Sequence, residues 1–161
     1  MRIFILLLFI SFNTFSQSLS YSDIMSISDI KTFKKVMLEN YYSKMIETDR
    51  KTTYAYNPRK FGDGDDDFVS GFYGTYYSDG HFEFQISLQI EGESDIVTPS
   101  NDPSGYYEII KTIKKNCTYY DIVEINTSEY VCYSCPESKY KGKIGFMIND
   151  KSGYITHFAN H

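Results

Sequence analysis

Apolar and polar residues alternate most clearly over residues 81–91, where positions 82, 84, 86, 88 and 90 are all apolar. Successive side chains of a strand point to opposite faces, so this pattern predicts a strand with one buried and one solvent-facing side. The turn residues Ser78-Asp79-Gly80 come just before it and predict a hairpin with a strand over 68–78. A further strand is predicted over 52–57.

Two segments carry apolar residues at helical spacing. The first follows Ser28-Asp29, with Ser28 as the predicted N-cap, and includes Ile30, Phe33 and Val36. The second is predicted to begin at Asp102-Pro103-Ser104, because an N-cap followed by proline fits the start of a helix, and to continue to Cys117.

The two halves of the chain resemble each other. Residues 30–35 (IKTFKK) match residues 110–115 (IKTIKK), Pro58 falls on Pro136, and residues 71–74 fall on residues 142–145. Four strands are predicted in the second half, at 119–125, 130–135, 142–148 and 154–159. We therefore expect an α+β fold built by tandem duplication of an α-βββ unit, with repeat 1 at about 28–91 and repeat 2 at about 102–160. Its antiparallel sheet would have the helices on one face and the other face open.

This arrangement resembles, in architecture alone, the tandem-repeat sheet of secreted β-lactamase inhibitor proteins and the saddle of TATA-binding proteins. No residue motif of either family occurs in the chain. The resemblance therefore implies neither a function nor a site.

The N-terminus predicts export. Met1-Arg2 supplies one positive charge, and the apolar run over 3–10 is shorter than a membrane-spanning helix. We predict a signal peptide at 1–16, cleaved near Ser16-Gln17, followed by a single domain at 17–161 that is secreted or periplasmic and has no stable membrane insertion. The alternative is an uncleaved anchor or a buried helix. Lipidation would need a cysteine at the cleavage site, but the first is Cys117.

Composition narrows the class of protein further. Hydrophobic residues make up 42% of the 161 residues and charged residues 23%, which is typical of a globular domain. The formal net charge is -5, and the basic residues are scattered among acidic ones. This distribution argues against nucleic-acid binding, which requires clustered Lys and Arg to neutralise phosphates.

Three cysteines in an exported chain predict one disulfide and one thiol. A hairpin turning near Thr127 would bring Cys135 close to Cys117, so we predict a Cys117–Cys135 bond and a buried Cys132. The Cys132-x-x-Cys135 spacing could also suggest a zinc or redox site. Within a strand, however, residues three apart point to opposite faces, so no metal site is predicted there.

The most acidic stretch, residues 62–67, contains four aspartates and two glycines. Carboxylate oxygens suit calcium, but the EF-hand pattern requires Gly where Phe68 stands and Glu where Gly74 stands. We interpret the stretch as a solvated loop, with calcium binding left open, and expect no cofactor.

The sequence gives little support for an enzyme. Its histidines are His81, His157 and His161, and no phosphate-binding loop, nucleophile elbow or paired-histidine motif is present. A hydrolase using a Cys-His pair is the least favoured class, since the thiol would have to stay reduced. We expect a protein without catalytic residues.

Tyrosine is abundant, with 16 Tyr and 12 Phe but no Trp. Tyrosine suits recognition surfaces because it combines a rigid apolar ring with a polar tip, although strands also favour it for propensity alone. We predict an exported protein-binding module, an inhibitor or immunity-like partner of another protein, that uses an open aromatic sheet face. The alternative is a periplasmic carrier of a small ligand or carbohydrate held between sheet and helices. The candidate binding residues are Phe72, Tyr76, His81, Glu83 and Gln85.

Overall fold

A computed structural model describes residues 19–60, 68–69, 71–88, 105–149 and 151–159. The predicted signal peptide at 1–16, the acidic stretch at 62–67 and the predicted helix start at 102–104 lie outside the described residues. Of the helices in the described ranges, none is both long and apolar enough to cross a membrane.

The described chain contains three helices and ten strands. The helices are α1 (Tyr21–Ser26), α2 (Ile30–Glu39) and α3 (Tyr106–Asn116). The strands of the first half are β1 (Tyr42–Glu47), β2 (Lys51–Tyr56), β3 (Arg59–Lys60), β4 (Phe68–Val69), β5 (Phe72–Tyr77) and β6 (Phe82–Ser87). Those of the second half are β7 (Thr118–Ile125), β8 (Ser128–Ser134), β9 (Lys143–Asn149) and β10 (Ser152–Phe158).

Eight strands form one antiparallel sheet in the order β1-β2-β5-β6-β10-β9-β8-β7, while β3 and β4 form a separate two-stranded sheet. The predicted α+β class and antiparallel sheet are thus confirmed. The two halves of the chain meet at the centre, where β6 pairs with β10 from Phe82↔His157 to Ser152↔Ser87. This central pairing joins the four strands of each half into one continuous eight-stranded sheet.

Strand β6 has the in-and-out pattern expected from the sequence. Phe82, Phe84 and Ile86 are buried, and the residues between them are only half-buried. Strand β1 was not predicted. A register shift between Lys44 and Ile46 interrupts the period of two on which strand prediction depends.

Helix α2 packs its apolar side against the sheet through Phe33. This ring is fully buried and lies 5.5–6.1 Å, between centroids, from the rings of Tyr54, Tyr76, Phe82 and Phe84. Burying one such side chain contributes about 1.5–3 kcal/mol. We call the side of the sheet that carries these rings the helix-packed face.

Helix α3 contacts the second half of the sheet through Tyr106. Its hydroxyl donates a hydrogen bond to the Met147 carbonyl at 2.7 Å, and its ring packs directly against the backbone of Gly153. An added Cβ at position 153 would lie 2.6 Å from that ring, so only glycine permits this approach. Ile109 and Ile113 are buried in the same core cluster as Phe33.

The N-cap of α2 differs from the sequence prediction by one residue. Asp29, not Ser28, is the N-cap of α2, and its carboxylate accepts a hydrogen bond from the Thr32 amide at 2.9 Å. An aspartate side chain satisfies an otherwise unpaired amide of the first turn and places negative charge at the positive end of the helix. Helix α3 begins at Tyr106 after Gly105, whose φ is 76°.

The cysteines are arranged as predicted. Cys117 and Cys135 form a disulfide that links the end of α3 to the residue after β8, with Cα atoms 4.4 Å apart. The bond spans 18 residues, for which the chain-entropy account gives about 3 kcal/mol of stabilisation. Cys132 is a buried free thiol, and it belongs to a smaller cluster with Tyr130 and Phe158, whereas Cys135 packs against the main core.

The two-residue turn between β7 and β8 generates a prediction. Asn126 and Thr127 have φ of 50° and 67°, the left-handed backbone of a type I′ turn, in which a β-branched residue is strained. Thr127→Gly should therefore raise the free energy of unfolding by about 1 kcal/mol. Thr127→Ala keeps the Cβ and should give little gain. Urea unfolding measures both variants, and equal stability of the two would contradict this explanation.

Candidate functional site

The candidate site lies on the second face of the sheet, which carries the side chains that alternate with those of the helix-packed face. Tyr73 of β5 pairs with Gln85 of β6, which pairs with Tyr154 of β10. Two residues before Gln85 on the same strand, Glu83 pairs with Thr75 of β5 on one side and with Thr156 of β10 on the other. We call the following side chains the second-face strip: Tyr73, Tyr77, Glu83, Gln85, Tyr130 and Tyr154.

Tyr130 reaches Glu83 across the sheet. Its hydroxyl donates a hydrogen bond to Glu83 Oε2 at 3.1 Å, although β9 and β10 lie between the strands that carry the two residues. The ring passes Gly145, where an added Cβ would lie 3.0 Å from Tyr130 Cβ and 3.0 Å from Cys132 Sγ. The absence of a side chain at position 145 therefore lets Tyr130 lie along the sheet.

Burial controls the ionisation of this pair. Desolvation raises the pKa of the Glu83 carboxyl above its ordinary value, while the hydrogen bond from Tyr130 and the proximity of His81 lower that pKa. The pKa of the Tyr130 hydroxyl is also raised, first by burial and then by the Glu83 charge. Tyr130 thus remains a hydrogen-bond donor through the physiological range, and the carboxylate keeps oxygen lone pairs for other donors.

His81 lies at the end of the strip beside Tyr77. The two rings stack with centroids 4.0 Å apart, and the His81 Nδ1 contacts the Asp79 carboxylate. Burial raises the pKa of Tyr77, and the charges of Glu83 and Asp79 raise it further. This end of the strip is therefore an acidic, aromatic surface.

The structure separates the five predicted binding residues. Glu83 and Gln85 lie on the second face and His81 stacks on Tyr77 beside them, but Phe72 and Tyr76 lie on the helix-packed face. Phe72 packs against the main core beside Tyr56, and Tyr76 packs against it beside Phe33 and Phe82. Their placement on the open face was wrong.

Gly74 explains why Phe72 and Tyr76 face the helix. It lies between them on β5, and Met37 of α2 approaches so closely that an added Cβ would be 2.5 Å from its terminal carbon. The other aromatic pair of β5, Tyr73 and Tyr77, therefore occupies the second face. The hairpin register would have revealed this, because Tyr76 pairs with Phe82, whose buried side the alternation already indicates.

Two residues that could have served as nucleophile or base are withdrawn from solvent. His157 is buried with neither ring nitrogen hydrogen-bonded among the described residues, and burial lowers its pKa to about 3. Burial also raises the pKa of the Cys132 thiol to about 11, which keeps it protonated. Within the described ranges, no group of three or more His, Cys, Asp or Glu side chains is arranged to hold a metal ion.

Comparison of this chain with known protein families, with characterised proteins and with solved structures finds no match. The function must therefore be inferred from the site itself.

The hydrogen bond between Tyr130 and Glu83 generates a prediction about pKa. Because the hydroxyl donates to the charged carboxylate, Tyr130→Phe should raise the pKa of Glu83 still further above 4.5, the value of a free glutamate. A carbon-detected NMR titration of the Glu83 carboxyl measures the change. Tyr119→Phe, on β7, should leave the Glu83 pKa where it is. A Glu83 pKa that falls in Tyr130→Phe would contradict the assigned bond.

Proposed function

We propose that this protein is an exported protein-binding module, an inhibitor or immunity-like partner of another protein, that contacts its partner through the second-face strip. The observation that carries the proposal is the position of Glu83, a half-buried carboxylate among the tyrosines of that strip. Tyrosine and a few fixed polar groups are typical of the centre of protein interfaces.

The strip has the mixed chemistry that such an interface needs. Tyr73, Tyr77 and Tyr154 lie on strands of the main sheet and are half-buried, so part of each residue remains accessible to a partner. A rigid tyrosine loses little conformational entropy on binding. Glu83 adds a directional acceptor for a lysine, arginine or amide donor of the partner.

We also propose that the domain arose by tandem duplication, with α2 and α3 covering one face of the sheet. The symmetric strand order supports this, because each half contributes a helix followed by four strands of the main sheet, and the last strands of the halves, β6 and β10, meet at the centre. In this proposal the alignment of residues 71–74 with 142–145 shifts by one residue, so that Phe72 matches Ile144 rather than Lys143. The reason is that Gly74 is on the helix-packed face and Gly145 on the second face, whereas Phe72 and Ile144 both pack in the main core.

Export is supported by the disulfide between Cys117 and Cys135, which is compatible with an oxidising compartment. The carrier function has less support. A carrier requires space for its ligand between the helices and the sheet. Met37 packs directly against Gly74 and Tyr106 packs directly against Gly153, so that neither contact leaves room for an added methyl group.

Capture of the partner tests the proposed surface. The mature protein, immobilised and exposed to an extract of its own cell envelope, should retain one or more specific proteins identified by mass spectrometry. Gln85→Arg places a charge within the strip and should reduce this retention at least tenfold, the equivalent of about 1.4 kcal/mol. Leu38→Arg introduces the same charge on α2, where Leu38 is 60% exposed, and should retain the same proteins as the wild type.

Two outcomes would contradict the proposal. One is equal retention by wild type and Gln85→Arg, which would place the interface elsewhere. The other is retention of no protein together with saturable binding of a small ligand, which would favour the carrier.

A further inference from the structure

Strand β7 forms one end of the main sheet and pairs only with β8 among the described strands. It has eight residues and is the longest strand described. An edge strand presents a row of backbone donors and acceptors that another chain can pair with. The question is whether this edge is protected, as natural sheet edges usually are.

The opposite edge, β1, is protected. It has six residues and carries Lys44, which forms an ion pair with Glu47, and Glu47 also binds Lys34 of α2. A lysine on an edge and a register shift within it both discourage strand addition.

Strand β7 has no lysine, arginine or proline. Instead Tyr119, Tyr120 and Ile122 are 51–55% exposed, and the register is regular from Asp121 to Ile125 after a shift near its start. The shift at Tyr119 and the Lys143 ammonium of β9, which lies 4.1 Å from the centre of the Tyr120 ring, restrict strand addition to the regular stretch from Asp121. In that stretch the exposed β-branched Ile122 favours pairing with a further strand. The edge is therefore suited to strand addition.

Charge indicates what kind of strand would fit. Glu124 of β7 lies directly across from Glu129 of β8, and like charges in this position destabilise a sheet. Neither carboxylate has an ion pair among the described residues, and Asp121 adds a third negative charge. Strands β7 and β8 contain no basic residue. A cation beside Glu124 would relieve the repulsion.

We propose that β7 is a strand-addition site for an extended, basic segment of a partner protein. The segment pairs antiparallel with β7, with an apolar residue beside Ile122 and a lysine or arginine beside Glu124, two positions apart on the same face. A second copy of this chain fits less well, because it would bring the same carboxylates to the edge and each chain carries a net charge of -5. The site is separate from the second-face strip and does not depend on it.

A defined peptide tests this proposal. The probe is a ten-residue peptide of alternating valine and lysine with blocked termini, added to the full-length mature protein. Hydrogen exchange of the amides in 118–125 should slow, while exchange in β1 should not change. A peptide with glutamate in place of lysine should have at least tenfold weaker binding, and rising salt should weaken binding of the lysine peptide.

Two variants distinguish binding at β7 from non-specific binding of the basic peptide elsewhere on the protein. Glu124→Lys should weaken binding of the lysine peptide by roughly threefold to tenfold, because it replaces an attraction with a repulsion. Glu39→Lys makes the same charge change on α2 and should leave binding unchanged. The salt dependence in the unmodified protein tests the charge argument even if a variant fails to fold.

The proposal is overturned if the lysine peptide gives no protection of 118–125, or if the glutamate peptide protects this strand equally well. It is also overturned if these amides become protected at high protein concentration without peptide and a dimer appears, since a second copy would then be the occupant.

Discussion

The backbone ladder between β6 and β10 is the interaction on which the rest of the structure depends. It joins the last strand of each half over six residue pairs, from Phe82↔His157 to Ser152↔Ser87. Four strands lie on each side of this ladder. Without it β6 and β10 would each be an edge strand, and their pairing removes both of these edges. It also aligns Phe84 with Ile155, so that the core formed with α2 and the core formed with α3 become one cluster.

The same ladder builds the candidate site. On the helix-packed face it carries the buried rings of β6, and on the second face it sets Glu83 beside Thr156 and Gln85 beside Tyr154. Tyr130 can hydrogen-bond to Glu83 only because β10 and β9 hold β8 at a fixed distance from β6. Core and surface are thus coupled through alternate residues of the same two strands, and a loss of register by one residue would exchange them.

Local patterns in the sequence were sufficient for features that involve neighbouring residues. The alternation of β6 predicted its buried side, and hairpin geometry predicted both the Cys117–Cys135 bond and the separate location of Cys132. Features that depend on strand order could not be predicted. The contact between Tyr130 and Glu83 joins residues 47 positions apart and requires knowing which strands lie between them. The facing of β5 is different, because it follows from the hairpin register that pairs Tyr76 with the buried Phe82, and the sequence analysis did not apply that register.

The pairing of β6 with β10 can be measured directly by NMR on the isotopically labelled mature protein. The account predicts cross-strand NOEs between backbone protons at alternate pairs along the ladder, joining the segment 82–87 to 152–157, and slow amide exchange in both strands. NOEs that pair β6 or β10 with a different strand, or rapid exchange in both, would contradict the single eight-stranded sheet.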